Sequence, residues 1–381
     1  MRCFKRNAMI VVLALILATS SALGAEYERV RVGITPYTMY QIWWAAEQLG
    51  IDREFGIELE LVDVAQTING IQLMIRGDLD ITAGTPAEHL PIVNQAPQVK
   101  NFSTVGFFKG FIFVGRKGEI RPFDELVAEY GLERAKEIRL NEFRGKSFAI
   151  IPQRKPLIAD ALAQVGIGID EVQLLNFADD QKAATAFLSG TGDFYIGSLP
   201  QERRLLSMED RFVNAGGSEV LGPAGLWYDT MLSTPAFMEN RREAALRTLA
   251  LWYRLVEIWD RHPEILAPIA AESLSRLTGG DFSVEEYITL QTVYDDFLSV
   301  AEVLSGFYNP LSELYWKYPV DYYIGQAIEA GDLPDSIRGD EYFIQSEELF
   351  YELLTRPDLL QKIFAPISAE TYLSRLQQQS R

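Results

Sequence analysis

The chain has 381 residues, of which 48% are hydrophobic and 12% aromatic, enough to bury cores for two domains. Its 53 acidic side chains outnumber 35 basic ones, a net charge of −18 that argues against nucleic acid or an anionic membrane surface as partner. With only Cys3, His89 and His262 available, a zinc or copper centre of usual composition is not expected, and neither is a cofactor.

The first residues read as a secretory signal. Arg2, Lys5 and Arg6 precede the apolar run Ala8 to Ala18, and small residues follow, ending in Ala22-Leu23-Gly24-Ala25. The run is shorter than the ~20 residues a spanning helix needs. It fits a cleaved signal over residues 1–25, cut after Gly24 or Ala25, with an uncleaved anchor as the alternative. Cys3 leaves with the signal and no cysteine stands at the cleavage site. The mature chain then has no thiol, disulfide or lipid attachment, which suits a soluble protein of the periplasm.

The pattern that follows alternates strand and helix. Val30 to Ile34 reads as a strand, Thr35-Pro36-Tyr37-Thr38 as a turn, and Tyr40 to Leu49 as a helix stopped by Gly50. Ile57 to Val64 alternates apolar and acidic residues, a strand; Asn69 to Arg76 is a helix, and Leu79 to Ala83 a short strand before Gly84-Thr85-Pro86. Such alternation implies a parallel sheet. The order then repeats: strand Ser147 to Ile151, helix Pro156 to Val165, strand Val172 to Phe177, helix Asp179 to Leu188, and strand Phe194 to Ile196 before Gly197-Ser198-Leu199-Pro200. Both halves close with a helix stop, an aspartate, a short strand, glycine, a hydroxyl residue and proline, so two similar α/β lobes in tandem are expected.

Phe107 to Gly115 reads as a strand crossing between the lobes, and Gly225 to Thr234 as the return. Lobe one is expected over 26–114 plus 230–381, and lobe two over 115–229. After Pro235 the chain turns helical (Phe237 to Arg261, Glu264 to Leu277, Val284 to Leu304), and this C-terminal third is expected to pack back on lobe one.

Thr35-Pro36 and the run Ala46-Glu47-Gln48-Leu49-Gly50-Ile51-Asp52-Arg53-Glu54-Phe55-Gly56-Ile57 resemble the family of ABC-transporter substrate-binding proteins that includes nitrate, taurine, alkanesulfonate and thiamine-precursor binders. So do Arg76-Gly77-Asp78-Leu79-Asp80, Arg144-Gly145-Lys146 and Gly166-Ile167 followed by Asp170-Glu171-Val172. The resemblance spans about residues 30 to 260, and the chain beyond Tyr308 looks longer than the family's usual form. It implies a hinge-connected, two-lobed periplasmic binding protein fold of type II with a helical C-terminal extension. Ligands in open α/β sheets bind beyond the carboxyl ends of the strands.

The candidate ligand contacts therefore follow strand ends. Thr35, Tyr37 and Tyr40 come after the first strand, and Thr67 after the second. Thr85 and Ser198 begin the two echoed helices, where each is also a helix cap candidate. Gln153 and Arg154 follow the first strand of lobe two. Arg154 could clamp a carboxylate or sulfonate, or stand in solvent beside Lys155. Phe177, Trp227 and Tyr228 could line the cleft or fill the core. Trp43 and Trp44 are adjacent on a helix and point to different faces, as do Glu88 and His89, which rules against that pair as acid and base.

The expected function is the periplasmic solute-binding component of an ABC importer, a monomer that delivers a small molecule to permease subunits. The ligand is an organic anion such as a sulfonate or carboxylate, or a nitrogen heterocycle. An enzyme on the same fold, a pyrimidine-precursor synthase or desulfinase, is the main alternative; a sensor that presents ligand to a receptor is another.

Overall fold

The computed structural model describes residues 27–225, 227–329 and 331–379. The expected signal, Cys3 and the cleavage site lie outside the described residues. Among the described residues no helix is long and apolar enough to cross a membrane.

Eleven strands among these residues form two sheets. They are β1 (Glu28–Ile34), β2 (Ile57–Asp63), β3 (Ile81–Gly84), β4 (Lys100–Phe108), β5 (Ile112–Arg116), β6 (Ser147–Ile150), β7 (Gln173–Asn176), β8 (Phe194–Tyr195), β9 (Phe212–Gly217), β10 (Trp227–Ser233) and β11 (Asp295–Phe297). The first sheet has the order β11-β4-β10-β3-β1-β2, the second β7-β6-β8-β5-β9. In β1 the alternation works as the side-chain period of two dictates. Val30, Val32 and Ile34 are fully buried, while Arg29 faces out. β2 lies parallel to β1 with Val30 opposite Leu59, which places Glu58 and Glu60 away from the core. The helix Ile42–Gln48 connects them, and Gly50 (φ 65°) takes the left-handed conformation that ends it.

The expected parallel sheets are mixed. β1 pairs in parallel with β2 and β3, and β6 with β7 and β8. β10 runs antiparallel to β3 and β4, and β5 antiparallel to β8 and β9. The reason is the crossing itself. The chain leaves β4, passes 109–111 and enters β5 in the other sheet, and it returns after 218–225 to β10. Neither passage contains the long crossover that a parallel neighbour requires.

The echo between the two halves has a structural use. Asp80 accepts the backbone N–H of Arg31 in β1 at 2.9 Å, and Asp193 accepts that of Ser147 in β6 at 2.8 Å. Each aspartate ties the strand it precedes, β3 or β8, to that strand's parallel neighbour, β1 or β6, and the strand tips carrying Thr85 and Ser198 then point to the same gap.

The C-terminal third packs on the first sheet, and one apolar cluster runs from Val30 through Trp252 to Tyr372. Trp43 is fully buried with its ring 5.4 Å from Trp252, whereas Trp44 is partly exposed beneath Arg276. The helix Asp340–Leu354 is tied to β4, where Asn101 Nδ2 donates to Ser346 Oγ at 2.8 Å. Phe102, against Phe237, and Phe343, against Phe307 and Trp316, are buried, each burial stabilising by about 1.5–3 kcal/mol. The expected helix 237–261 is two, Pro235–Asn240 and Arg242–Arg261. The expected helix 284–304 ends at Val293; β11 follows, and pairs antiparallel with β4. Ser299, whose hydroxyl accepts the N–H of Glu302 at 3.3 Å, then starts a new short helix.

Candidate functional site: a cleft between the lobes

The two sheets meet at a partly open cavity of about 30 Å³, room for about two water molecules. The first lobe supplies Tyr37, Thr38, Thr85 and Glu88, and the second supplies Arg154 and Ser198. Phe108, Phe111 and Trp227 enter from the crossings, with Asp229 from β10 and Asp295 from β11. Five of the sequence candidates therefore converge: Tyr37, Thr85, Arg154, Ser198 and Trp227.

The other six have different placements. Tyr40 is fully buried in the core, its hydroxyl 2.9 Å from the Gly84 carbonyl and 3.0 Å from that of Thr230. Thr35 is buried at the end of β1 beside Gln41, whose amide donates to the Thr35 carbonyl. Thr67 stands one step behind the lining and donates to Glu88 Oε2 at 2.5 Å. Phe177 packs on the cluster of Val114, Phe187 and Tyr195. Tyr228 is buried edge-on to Phe107, ring centres 4.8 Å apart. Gln153 is partly exposed and does not line the space.

Arg154 is not a solvated neighbour of Lys155. It is 3% exposed, its guanidinium carbon lies 4.8 Å from the Trp227 ring and 5.1 Å from Phe111, and its Nη2 is 3.8 Å from Asp180 Oδ2. Burial works against its charge, but Asp180, Tyr37, Glu88 and Glu202 outweigh it and raise the Arg154 pKa. Nε and Nη1 have no hydrogen-bond acceptor.

The sequence reasoning missed the acids around it. Glu88 receives the hydroxyls of Thr67 and Tyr37, the latter at 3.3 Å. Asp229 is buried, with Oδ2 unpartnered; burial and the Glu88 charge push its pKa up to about 8. Asp295 is buried beside it and raised as well, by burial and by Asp229. Burial lifts Asp180 to about 6 against the pull of Arg154. Glu202 is fully buried on the first turn of the helix Leu199–Leu206, and its Oε1 accepts the Gly197 N–H at 3.1 Å. Thr85 is also engaged, its hydroxyl accepting the N–H of Glu88 at 3.2 Å.

Glu88 and His89 do point apart. His89 is fully buried, its ring 5.1 Å from Tyr342, and burial lowers its pKa to about 3. Among the described residues no three His, Cys, Asp or Glu side chains are grouped to hold a metal ion.

No family model matches the sequence, and no curated protein matches it either. Solved structures do. The alkanesulfonate-binding protein of Xanthomonas axonopodis pv. citri, bound to MOPS, is 14% identical with a TM-score of 0.60 over 84% of this chain and 99% of that one. The periplasmic aliphatic sulphonate-binding protein of Escherichia coli is 12% identical (TM-score 0.61, 85% and 99% covered). The periplasmic nitrate-binding protein of Synechocystis PCC 6803 is 11% identical (TM-score 0.62, 92% and 98% covered). At these identities the likeness speaks to architecture, and with the two sheets and the cleft it establishes that this chain has the two-lobed α/β fold of the periplasmic binding proteins.

Proposed function

We propose that the protein is the periplasmic solute-binding component of an ABC importer, of the family that binds nitrate, sulfonates and thiamine precursors, and that it carries a small molecule to permease subunits. The observation that carries this reading is the cleft: buried polar groups without partners, Arg154 from one lobe and Asp229 from the other, face a shared gap. Buried polar groups are almost always satisfied, so these mark where a ligand's own groups fit. Lobe one spans 27 to about 108 and resumes near 227; lobe two lies between, and the passages 109–111 and 218–225 serve as the hinge. A solute larger than two waters needs the lobes to part and to close again on it. The protein acts as a monomer.

The enzyme alternative would place a reactive histidine or cysteine at the gap, whereas His89 is turned to Tyr342; this favours binding. The ligand is an organic anion or a nitrogen heterocycle, and the acid-rich lining supports the second. To test the reading, the purified mature protein is screened with metabolite mixtures by thermal shift and by small-angle scattering. A stabilising solute that also compacts the protein supports it. Chemical conversion of the solute, or stabilisation without compaction, refutes it.

A further inference from the structure

Resting on that reading, we infer that the solute is a small organic cation, a protonated amine or amidine-like heterocycle, whose N–H groups are received by Glu88 and Asp229.

The groups that would favour an anion face acids of the protein, although Arg154 keeps Nε and Nη1 without an acceptor. The helix Leu199–Leu206 directs its N-terminus to the cleft, where anions are favoured, but its own Glu202 accepts the Gly197 N–H there. Arg154 is the lone basic residue of the lining; it has Asp180 at 3.8 Å and lies over the rings of Trp227 and Phe111. An incoming sulfonate would meet this neutralised guanidinium and three carboxyl groups, Glu88, Asp229 and Asp295.

A cation meets the opposite situation. Asp229 Oδ2 is buried and unpartnered, and Glu88 is held in place by the hydroxyls of Thr67 and Tyr37. The groups that act on Asp229 are Glu88, Tyr40 and Arg154, and Asp229 in turn raises its neighbours Asp295 and Tyr323. Among these Arg154 is the sole cation, so burial and the Glu88 charge favour the protonated form of Asp229. A bound cation makes its ionised form favourable, and binding expels the proton.

The test uses the full mature protein and three sets of small probes: 4-aminopyridine and methylguanidine as cations, benzamide as a neutral, and methanesulfonate and benzoate as anions. Thermal shift is measured first, then calorimetry at pH 7 in two buffers of different protonation heat. The expected result is stabilisation by the cations alone, with release of up to about one proton per ligand bound. Asp229→Asn should abolish the proton release and weaken cation binding about tenfold, the effect of losing a hydrogen bond to a charged group. Glu88→Gln, a second variant in case the first folds poorly, should weaken binding to a similar degree. If the anions bind and the cations do not, or if benzamide binds as well as 4-aminopyridine without proton release, the cation assignment is wrong while solute binding stands. If no probe of any class binds, the solute-binding reading fails together with this one.

Discussion

Replacing Arg154 by methionine should destabilise the protein in a pH-dependent way. The substitution removes a charge 3.8 Å from Asp180, itself 4% exposed. Removing one partner of a buried pair costs about 3–5 kcal/mol, and the missing hydrogen bond in this pair places it at the low end. Loss of the guanidinium from over Trp227 and Phe111 adds about 0.5–2 kcal/mol, offset in part by sulfur contacts with the same rings. About 3 kcal/mol is therefore expected at pH 8. At pH 5 the cost falls, because Asp180 already titrates near 6 and rises further once its cation is gone. A protonated carboxyl needs no counter-charge. The sign follows: a carboxyl with a raised folded pKa favours the fold most below its unfolded value, and the penalty grows as pH climbs through the folded one, by at most about 1.4 kcal/mol per unit. Urea unfolding of both proteins at pH 5 and pH 8 should give differences of about 1–2 and about 3 kcal/mol respectively. The double variant Arg154→Met with Asp180→Asn should recover most of the loss at pH 8. Equal differences at both pH values, or a double variant no better than the single, would refute the account.

Asp229→Asn should become relatively more stabilising as pH rises from 4 toward 8, since the wild-type carboxyl sits in a site that raises it to about 8; the check is the same unfolding series, and a flat difference counts against it. Trp252→Ala should cost about 3–5 kcal/mol, because the ring is buried against Trp43 and Phe297. Ser283→Ala should cost about 1 kcal/mol by removing the oxygen that accepts the Glu286 N–H at the start of the helix Val284–Val293, with Ser283→Asp restoring it. Deleting residues 308–381 should yield insoluble protein, since Phe102, Tyr253 and the outer face of β4 lose their cover; soluble, cooperative folding of the truncated chain would show the C-terminal helices to be dispensable.

The repeating strand and helix order was legible because its signals are local. Val30, Val32 and Ile34 alternate, Gly50 and Gly77 stop helices with φ of 65° and 80°, and Asp80 and Asp193 stand at matching positions. What escaped depends on distant pairing. β11 reads as the tail of a helix until β4 is present to bond it, although Ser299 three residues before Glu302 was a visible start signal. Candidate ligand contacts were chosen by proximity to strand ends, which located Thr85, Arg154 and Ser198. Asp229 and Asp295 come from crossing and edge strands and enter the cleft only when both sheets are assembled. The anion alternative drawn from Arg154 did not take in Asp180 and Glu202, whose charges act on it.

The shortness of β11 bears on the behaviour of the protein in crowded solution. A long apolar strand on the rim of a sheet invites a second molecule to add its own backbone and start an aggregate. Here the rim beyond β4 is closed by three residues, two of them aspartates, and Asp296 carries an ion pair to Lys109 at 2.7 Å. A neighbour would have to bury that charge for a very short run of backbone bonds. That edge of the larger sheet is thereby made unattractive to other copies.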